Sequence, residues 1–295
     1  MKISKQILVR SIILAIGLYS ADSSATTYLF RKLIPGAKQS CHASELSGPL
    51  SFAYSGSVQS VPVPAGAAYA EATVGGAGGG GFECYSNGGS GGNGDAVSGQ
   101  IPVSPGETLE VLVGQGGGWG DCYGPAGGGG LSGIFSGVPS KASALIVTGG
   151  GGGAGYGSGL NGTSAGFHPA ATSAKGSLGG VGYGGGGIGP RAAGSAGTPF
   201  GAGGGSGDGG PGGFGGAGAG GGGFSGGGGG GLPGGSGGYT SYGSGGNMVG
   251  DAGQGGTSFA APSVTQVHET SGPAGGSPGL SGTNGSVEIT FYSCH

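Results

Sequence analysis

The residues whose chemistry reaches beyond packing are four cysteines, four histidines and scattered serines and carboxylates. Cys41, Cys84, Cys122 and Cys294 are an even number in what reads below as an exported chain. That predicts two disulfides, with three connectivities open. The expected pairs are Cys41–Cys294, which would staple the two ends of the domain, and Cys84–Cys122. The second would join two similar loops, Glu83-Cys84-Tyr85 and Asp121-Cys122-Tyr123. The competing reading is buried free thiols. No CxxC spacing exists to favour zinc. G-x-S-x-G, the nucleophile-elbow pattern, surrounds Ser90, Ser225, Ser236 and Ser277. With 90 glycines in 295 residues such matches arise by chance, and none opens a helix after a buried strand. His42, His168, His268 and His295 lack metal-ligand spacing. His268 could be combined with Asp251 into a triad, but a triad is defined by geometry that spacing does not supply. Asp95 and Asp208 stand one residue early for the calcium-binding nonapeptide pattern. Asn161 and Asn284 head glycosylation-type triplets that serve equally as turns. The reading is therefore of no enzyme, no cofactor and no metal site. Trp119 is the lone tryptophan, close to Cys122. Trp119, Tyr123 and Tyr85 are the candidate partner-binding residues, because Trp and Tyr favour interfaces. The plainer alternative packs Trp119 over the adjacent disulfide.

What positions these residues follows from the rest of the chain. Residues 1–25 read as a signal peptide: Lys2, Lys5 and Arg10 precede a short apolar stretch, and Ser23 and Ala25 fit a cleavage site. The apolar stretch is shorter than the ~20 residues that span a bilayer. No other segment is hydrophobic enough to span, so the expected location is secreted, cell-surface or periplasmic. Cleavage leaves six basic and eleven acidic residues. Nucleic-acid binding needs several Lys or Arg contacts to phosphate and is excluded on that ground.

After a leader or linker at 26–47, a glycine-rich domain is expected at 48–295. Strand signals fall at 50–54, 59–63, 69–74, 95–103, 108–113, 144–148, 257–259 and 286–292, and no amphipathic helix appears. Ser104-Pro105-Gly106-Glu107 reads as a tight turn, which predicts that the strands flanking it pair as a hairpin. The His268-Glu269 pair is expected in an exposed connection. Many short strands with Gly/Pro turns predict an all-β core, a β-sandwich.

Between 149 and 256 about half of the residues are glycine. Fixing so many glycines costs conformational entropy that their absent side chains cannot offset, which favours disorder. The competing reading is a bundle of polyglycine helices of polyproline-II type. Such helices have three residues per turn and no internal hydrogen bonds. They can bond one another only where glycine lets the chains approach. Local periods of three support it: Asn87-Gly-Gly-Ser90-Gly-Gly-Asn93, Asp208-Gly-Gly-Pro211-Gly-Gly-Phe214-Gly-Gly-Ala217 and Pro233-Gly-Gly-Ser236-Gly-Gly-Tyr239. The phase breaks between runs, which excludes collagen and argues against a regular ice-binding face. Low charge also argues against a solvated tail.

The order of the pieces carries a resemblance. Val61-Pro62-Val63-Pro64-Ala65-Gly66 precedes a strand ending in Val74-Gly75-Gly76-Ala77-Gly78-Gly79-Gly80. Val103-Ser104-Pro105-Gly106-Glu107-Thr108-Leu109, Val111-Leu112-Val113-Gly114-Gln115-Gly116-Gly117 and Ile146-Val147-Thr148-Gly149-Gly150-Gly151-Gly152 follow. Gly221 to Gly229 and the closing Asn284-Gly285-Ser286-Val287-Glu288-Ile289-Thr290 complete it. This resembles the glycine-rich domain family of secreted bacterial proteins over about residues 50–292. It is also similar to the extracellular glycine-rich region of the anaplastic lymphoma kinase and leukocyte tyrosine kinase receptors. The resemblance implies a β-sandwich of tumour-necrosis-factor-like form with an inserted polyglycine bundle. In the receptors that region recognises a protein ligand, but no ligand-contact residues here match, so the ligand does not transfer. The expected function is a non-enzymatic binding or adhesion module for a protein or glycan partner. The alternative is a structural glycine-rich protein of an extracellular matrix or envelope.

Overall fold

The computed structural model describes residues 42–295 apart from 86, 123–125, 157–160, 168–224, 233, 236, 239 and 243–247. The described part is all-β, with no helix among these residues. In chain order the strands are β1 (Ala43–Glu45), β2 (Leu50–Phe52), β3 (Gln59–Pro62), β4 (Tyr69–Gly75), β5 (Phe82–Cys84), β6 (Asn87–Gly89), β7 (Asp95–Pro102) and β8 (Thr108–Leu112). They continue as β9 (Ser132–Phe135), β10 (Ala144–Thr148), β11 (Gly166–Phe167), β12 (Thr240–Tyr242), β13 (Met248–Gly250), β14 (Thr257–Ala260), β15 (Thr265–Ser271) and β16 (Ser286–Cys294).

Two six-stranded sheets carry the apolar residues. One has the order β1-β16-β4-β7-β15, with β2 also on β16; the other has the order β11-β14-β10-β9-β8-β3. Strand alternation sorts their side chains. Ala70, Ala72 and Val74 of β4, Val97 and Ile101 of β7, and Val287, Ile289 and Phe291 of β16 are buried. They share one cluster with Val61, Leu109, Val111, Ile134 and Ile146 of the second sheet. The intervening residues of the first sheet, among them Glu71, Thr73, Ser98 and Glu288, stand on the opposite, outward face, as period-two alternation requires. The second sheet is covered on both sides. Leu112, Leu131, Phe135, Val147 and Leu232 form a further buried cluster, which is why Ile146-Val147-Thr148 is buried without alternation.

Three local expectations are corrected. The segments flanking Ser104–Glu107 do not pair with each other: β7 pairs β4 and β15, while β8 pairs β3 and β9. The turn itself forms, with the Glu107 amide on the Ser104 carbonyl at 3.1 Å. It hands the chain from one sheet to the other, since β7 belongs to the first and β8 to the second, and Ile101 and Leu109 share one buried cluster. His268-Glu269 lies within β15 rather than in a connection. Ala43–Glu45, inside the expected linker, pairs with the last strand, Ala43 opposite Cys294.

The glycine runs continue these strands and change the bonding pattern. Run 76–81 follows β4. Its amides donate in three directions that recur every third residue. Gly76 and Gly79 bond the carbonyls of Asp95 and Gly92, Ala77 and Gly80 those of Gly130 and Gly127, and Gly78 and Gly81 those of Thr283 and Leu280, all at 2.8–3.0 Å. Its own carbonyls receive Gly151 and Ala154, Gly117 and Gly120, and Gly276. Run 149–154 is embedded similarly, donating to Gly230, Ala77, Thr163, Gly227 and Gly80 and accepting from Asp95, Gly256, Gly129, Gly92 and Gly253. Chains this close leave no room for side chains. A Cβ at Gly79 would meet the Gly152 carbonyl, and one at Gly151 the Gly92 carbonyl. Runs before 149 and after 256 thus take part alongside 225–230 and 250–256. Most of the remaining expected tract, including the period-three run 208–217, lies outside the described residues.

Buried polar side chains mark the seam where sheet becomes glycine lattice. The Ser132 hydroxyl accepts from the Gly114 amide at 3.0 Å, and Ser258 from Gly149 at 2.9 Å. Asp95 begins β7 there and is buried. These groups satisfy backbone donors that neither ladder reaches, which an apolar residue would leave orphaned.

Candidate functional site

The disulfide end of the glycine lattice gathers the candidate residues. β5 and β6 form a tight hairpin in which Cys84 opposes Asn87. A two-residue loop of this kind needs positive φ, and Tyr85 takes it at φ 51°. A tyrosine pays for that conformation in strain, which residues at recognition sites often carry. Its side chain is 91% exposed. The structure joins Cys84 to Cys122, Cα atoms 4.8 Å apart. Beneath the bridge, Phe82 is fully buried with Ala126 and Ala154 and meets the Tyr156 ring edge-on at 5.5 Å.

Trp119 stands beside this hairpin. The Glu83 amide bonds the Gly120 carbonyl at 3.0 Å and the Gly120 amide bonds Gly81 at 2.8 Å. The tryptophan is 51% exposed. Its amide reaches the Ser281 hydroxyl at 3.4 Å. That contact brings in Leu280, whose carbonyl accepts from Gly81 and whose side chain is exposed. Tyr85, Trp119 and Leu280 are therefore held on adjoining segments. Sequence reasoning missed Leu280. Its one signal is the turn at Pro278-Gly279, where Gly279 has φ 76°. Tyr123 lies outside the described residues. Glu83 is exposed beside the patch, and Asp121 follows Gly120.

Cys294 is itself disulfide-bonded, and its expected partner, Cys41, lies outside the described residues. The other chemical candidates are placed as follows. Ser225 is fully buried, and His268 stands opposite Ser98 on the first sheet. Ser236 and His168 lie outside the described residues. The side-chain oxygens of Asn161 and Asn284 accept from the amides of Ser90 and Gly116, both at 2.8 Å. Both side chains thus tie together segments far apart in sequence. Among the described residues no group of three or more His, Cys, Asp or Glu is arranged to hold a metal. No helix among them is long and apolar enough to cross a membrane. Asp95 is a buried carboxyl at the seam. Its Oδ1 accepts from Ala96 at 2.9 Å, and its Oδ2 has no hydrogen-bond partner. Burial pushes its carboxyl up, helped by Glu269 and opposed by the hydrogen bonds from Ser258 and Ala96.

Such an arrangement can present a small aromatic and apolar surface on a stiff support. No family model matches the chain, and no curated protein matches it.

Proposed function

We propose that this chain is a secreted or cell-surface, non-enzymatic binding or adhesion module for a protein or glycan partner. Its recognition surface is the disulfide end: Tyr85, Trp119 and Leu280, with Tyr123 adjoining in sequence. The observation that carries the reading is Tyr85, an almost fully exposed aromatic held at positive φ beside a disulfide. Exposed Trp and Tyr on a rigid support bind without a large ordering cost. In this reading the two sheets form a tumour-necrosis-factor-like β-sandwich, and the period-three runs form an inserted bundle of polyproline-II-type glycine helices. The chain is then a member of the secreted glycine-rich domain family. The three-way bonding of run 76–81 supports the helical bundle, since three residues per turn would aim every third amide at the same neighbour.

Affinity capture with the oxidised mature chain tests the reading. Captured partner should fall at least tenfold with Tyr85→Ala and Trp119→Ala together, while the melting temperature stays unchanged. Concentration-dependent self-assembly with no captured partner would move the chain to the matrix or envelope role.

A further inference from the structure

The outward face of the first sheet holds a second feature, distinct from the disulfide end. A groove of about 340 Å³ crosses β16, β4, β7 and β15, lined among others by Glu71, Thr73, Gln100, His268, Glu288 and Thr290. Strand register sets their order. Glu288, Thr73, Ser98 and His268 form one row across the sheet, and Thr290, Glu71 and Gln100 the next. Tyr292 and Tyr69 follow in the third row, on the same face, stacked at 5.1 Å with rings 11° from parallel. The Gln100 amide holds Glu71 at 3.1 Å.

A bulge completes the lining. Thr265 opposes Gln100, yet His268, three residues on, opposes Ser98, two residues back. Without that extra residue Val267 would face solvent and His268 the core, because a one-residue slip flips every side chain. Gln266 takes up the bulge at φ 53°. A non-glycine residue held there is strained, and bulges of this kind re-aim side chains at sites.

We propose that this groove binds an oligosaccharide bearing free amines, with a sugar ring on the tyrosine pair and its amines on Glu71 and Glu288. The lining is almost wholly donors and acceptors, which match the hydroxyls of a sugar. Glu71 and Glu288 occupy diagonal positions on neighbouring strands, with their backbones about 7–8 Å apart there by sheet geometry. Among the described residues there are ten Asp and Glu and a single Lys or Arg, the exposed Lys141. Uronates, sulfated sugars and phosphates are repelled, while an amine is attracted. A peptide strand draws its affinity from main-chain bonds at a sheet edge. The three central strands here, β16, β4 and β7, are paired on both sides, so the face offers side chains alone.

The test is calorimetric titration of the oxidised mature protein with glucosamine hexamer, its N-acetylated counterpart and hexa-arginine. The glucosamine hexamer should bind. Glu288→Gln and His268→Ala, both at exposed positions, should each weaken it at least tenfold. Trp119→Ala should leave it unchanged, which separates this groove from the disulfide end. The proposal is overturned if no glucosamine hexamer binds, if Glu288→Gln binds as wild type does, or if the N-acetylated hexamer or hexa-arginine binds as tightly.

Discussion

The sheets and the glycine lattice hold the same chain by different rules. In β4 each residue bonds within one plane, to β16 and β7, and alternate side chains fill the core. One residue beyond its end, at Gly76, the amides begin to bond in three directions with a period of three. Stability in the sheets comes largely from apolar burial. Glycine has no side chain to bury, and it loses the most conformational freedom on ordering. The lattice must therefore draw on dense backbone hydrogen bonding, each bond worth about 1 kcal/mol net. The two regions should then respond differently to the smallest side-chain change.

Adding one methyl group is the sharpest way to break the comparison. Gly151→Ala places a Cβ against the Gly92 carbonyl and should destabilise by about 4 kcal/mol or more. A Cβ at Gly118 would meet nothing within 4 Å, so Gly118→Ala should stay within about 0.5 kcal/mol of wild type. Chemical denaturation measures both. A Gly151→Ala protein as stable as wild type would mean the close approach is not what the lattice needs.

Next in size is the disulfide. Cys84 and Cys122 are 38 residues apart, and closing a loop of that length restrains the unfolded chain by about 3–4 kcal/mol. Cys84→Ser with Cys122→Ser should lose that much in denaturant. The sheet amides should keep their exchange protection while residues near Phe82 and Ala126 lose it.

The smallest effect lies at the seam. Asp95 has its carboxyl raised by burial, so the folded state holds its proton more tightly than the unfolded chain does. Its contribution is full below the ordinary carboxyl value of about 4 and is lost as pH rises through its folded value. Compared with wild type, Asp95→Asn should show a flatter melting temperature across that rise. An unchanged pH profile would refute the assignment.

Side chains made the sheets legible. Alternation at Leu109-Glu110-Val111 and Val287–Phe291 marks β8 and β16, and the apolar run at 144–148 marks β10. Eight strands escaped notice, β1, β5, β6, β9, β11, β12, β13 and β15, and all but β15 are four residues or shorter. β15, Thr-Gln-Val-His-Glu-Thr-Ser, is polar and bulged, so its alternation is interrupted. β9, Ser-Gly-Ile-Phe, is short and buried throughout. Partner choice was also hidden, because a Pro-Gly turn looks the same whether it closes a hairpin or crosses a core. In the lattice the period of three is visible locally. The carbonyls of Ser90 and Asn93 do accept from one neighbouring run, at Gly162 and Ala165. Which glycine run meets which was not legible, because runs without side chains carry no distinguishing pattern. At the candidate site Trp119 and Tyr85 stood out by residue type. Leu280 did not, since only folding brings residue 280 beside residue 81.

Amide hydrogen exchange on the oxidised mature chain tests the central claim most directly, that the glycine runs form a hydrogen-bonded solid. The amides of Gly150 to Ala154 and of Gly226, Gly227, Gly229 and Gly230 should exchange as slowly as those of Ala72 to Val74 in β4. Exchange at the rate of unpaired glycine amides, with β4 still protected, would contradict it.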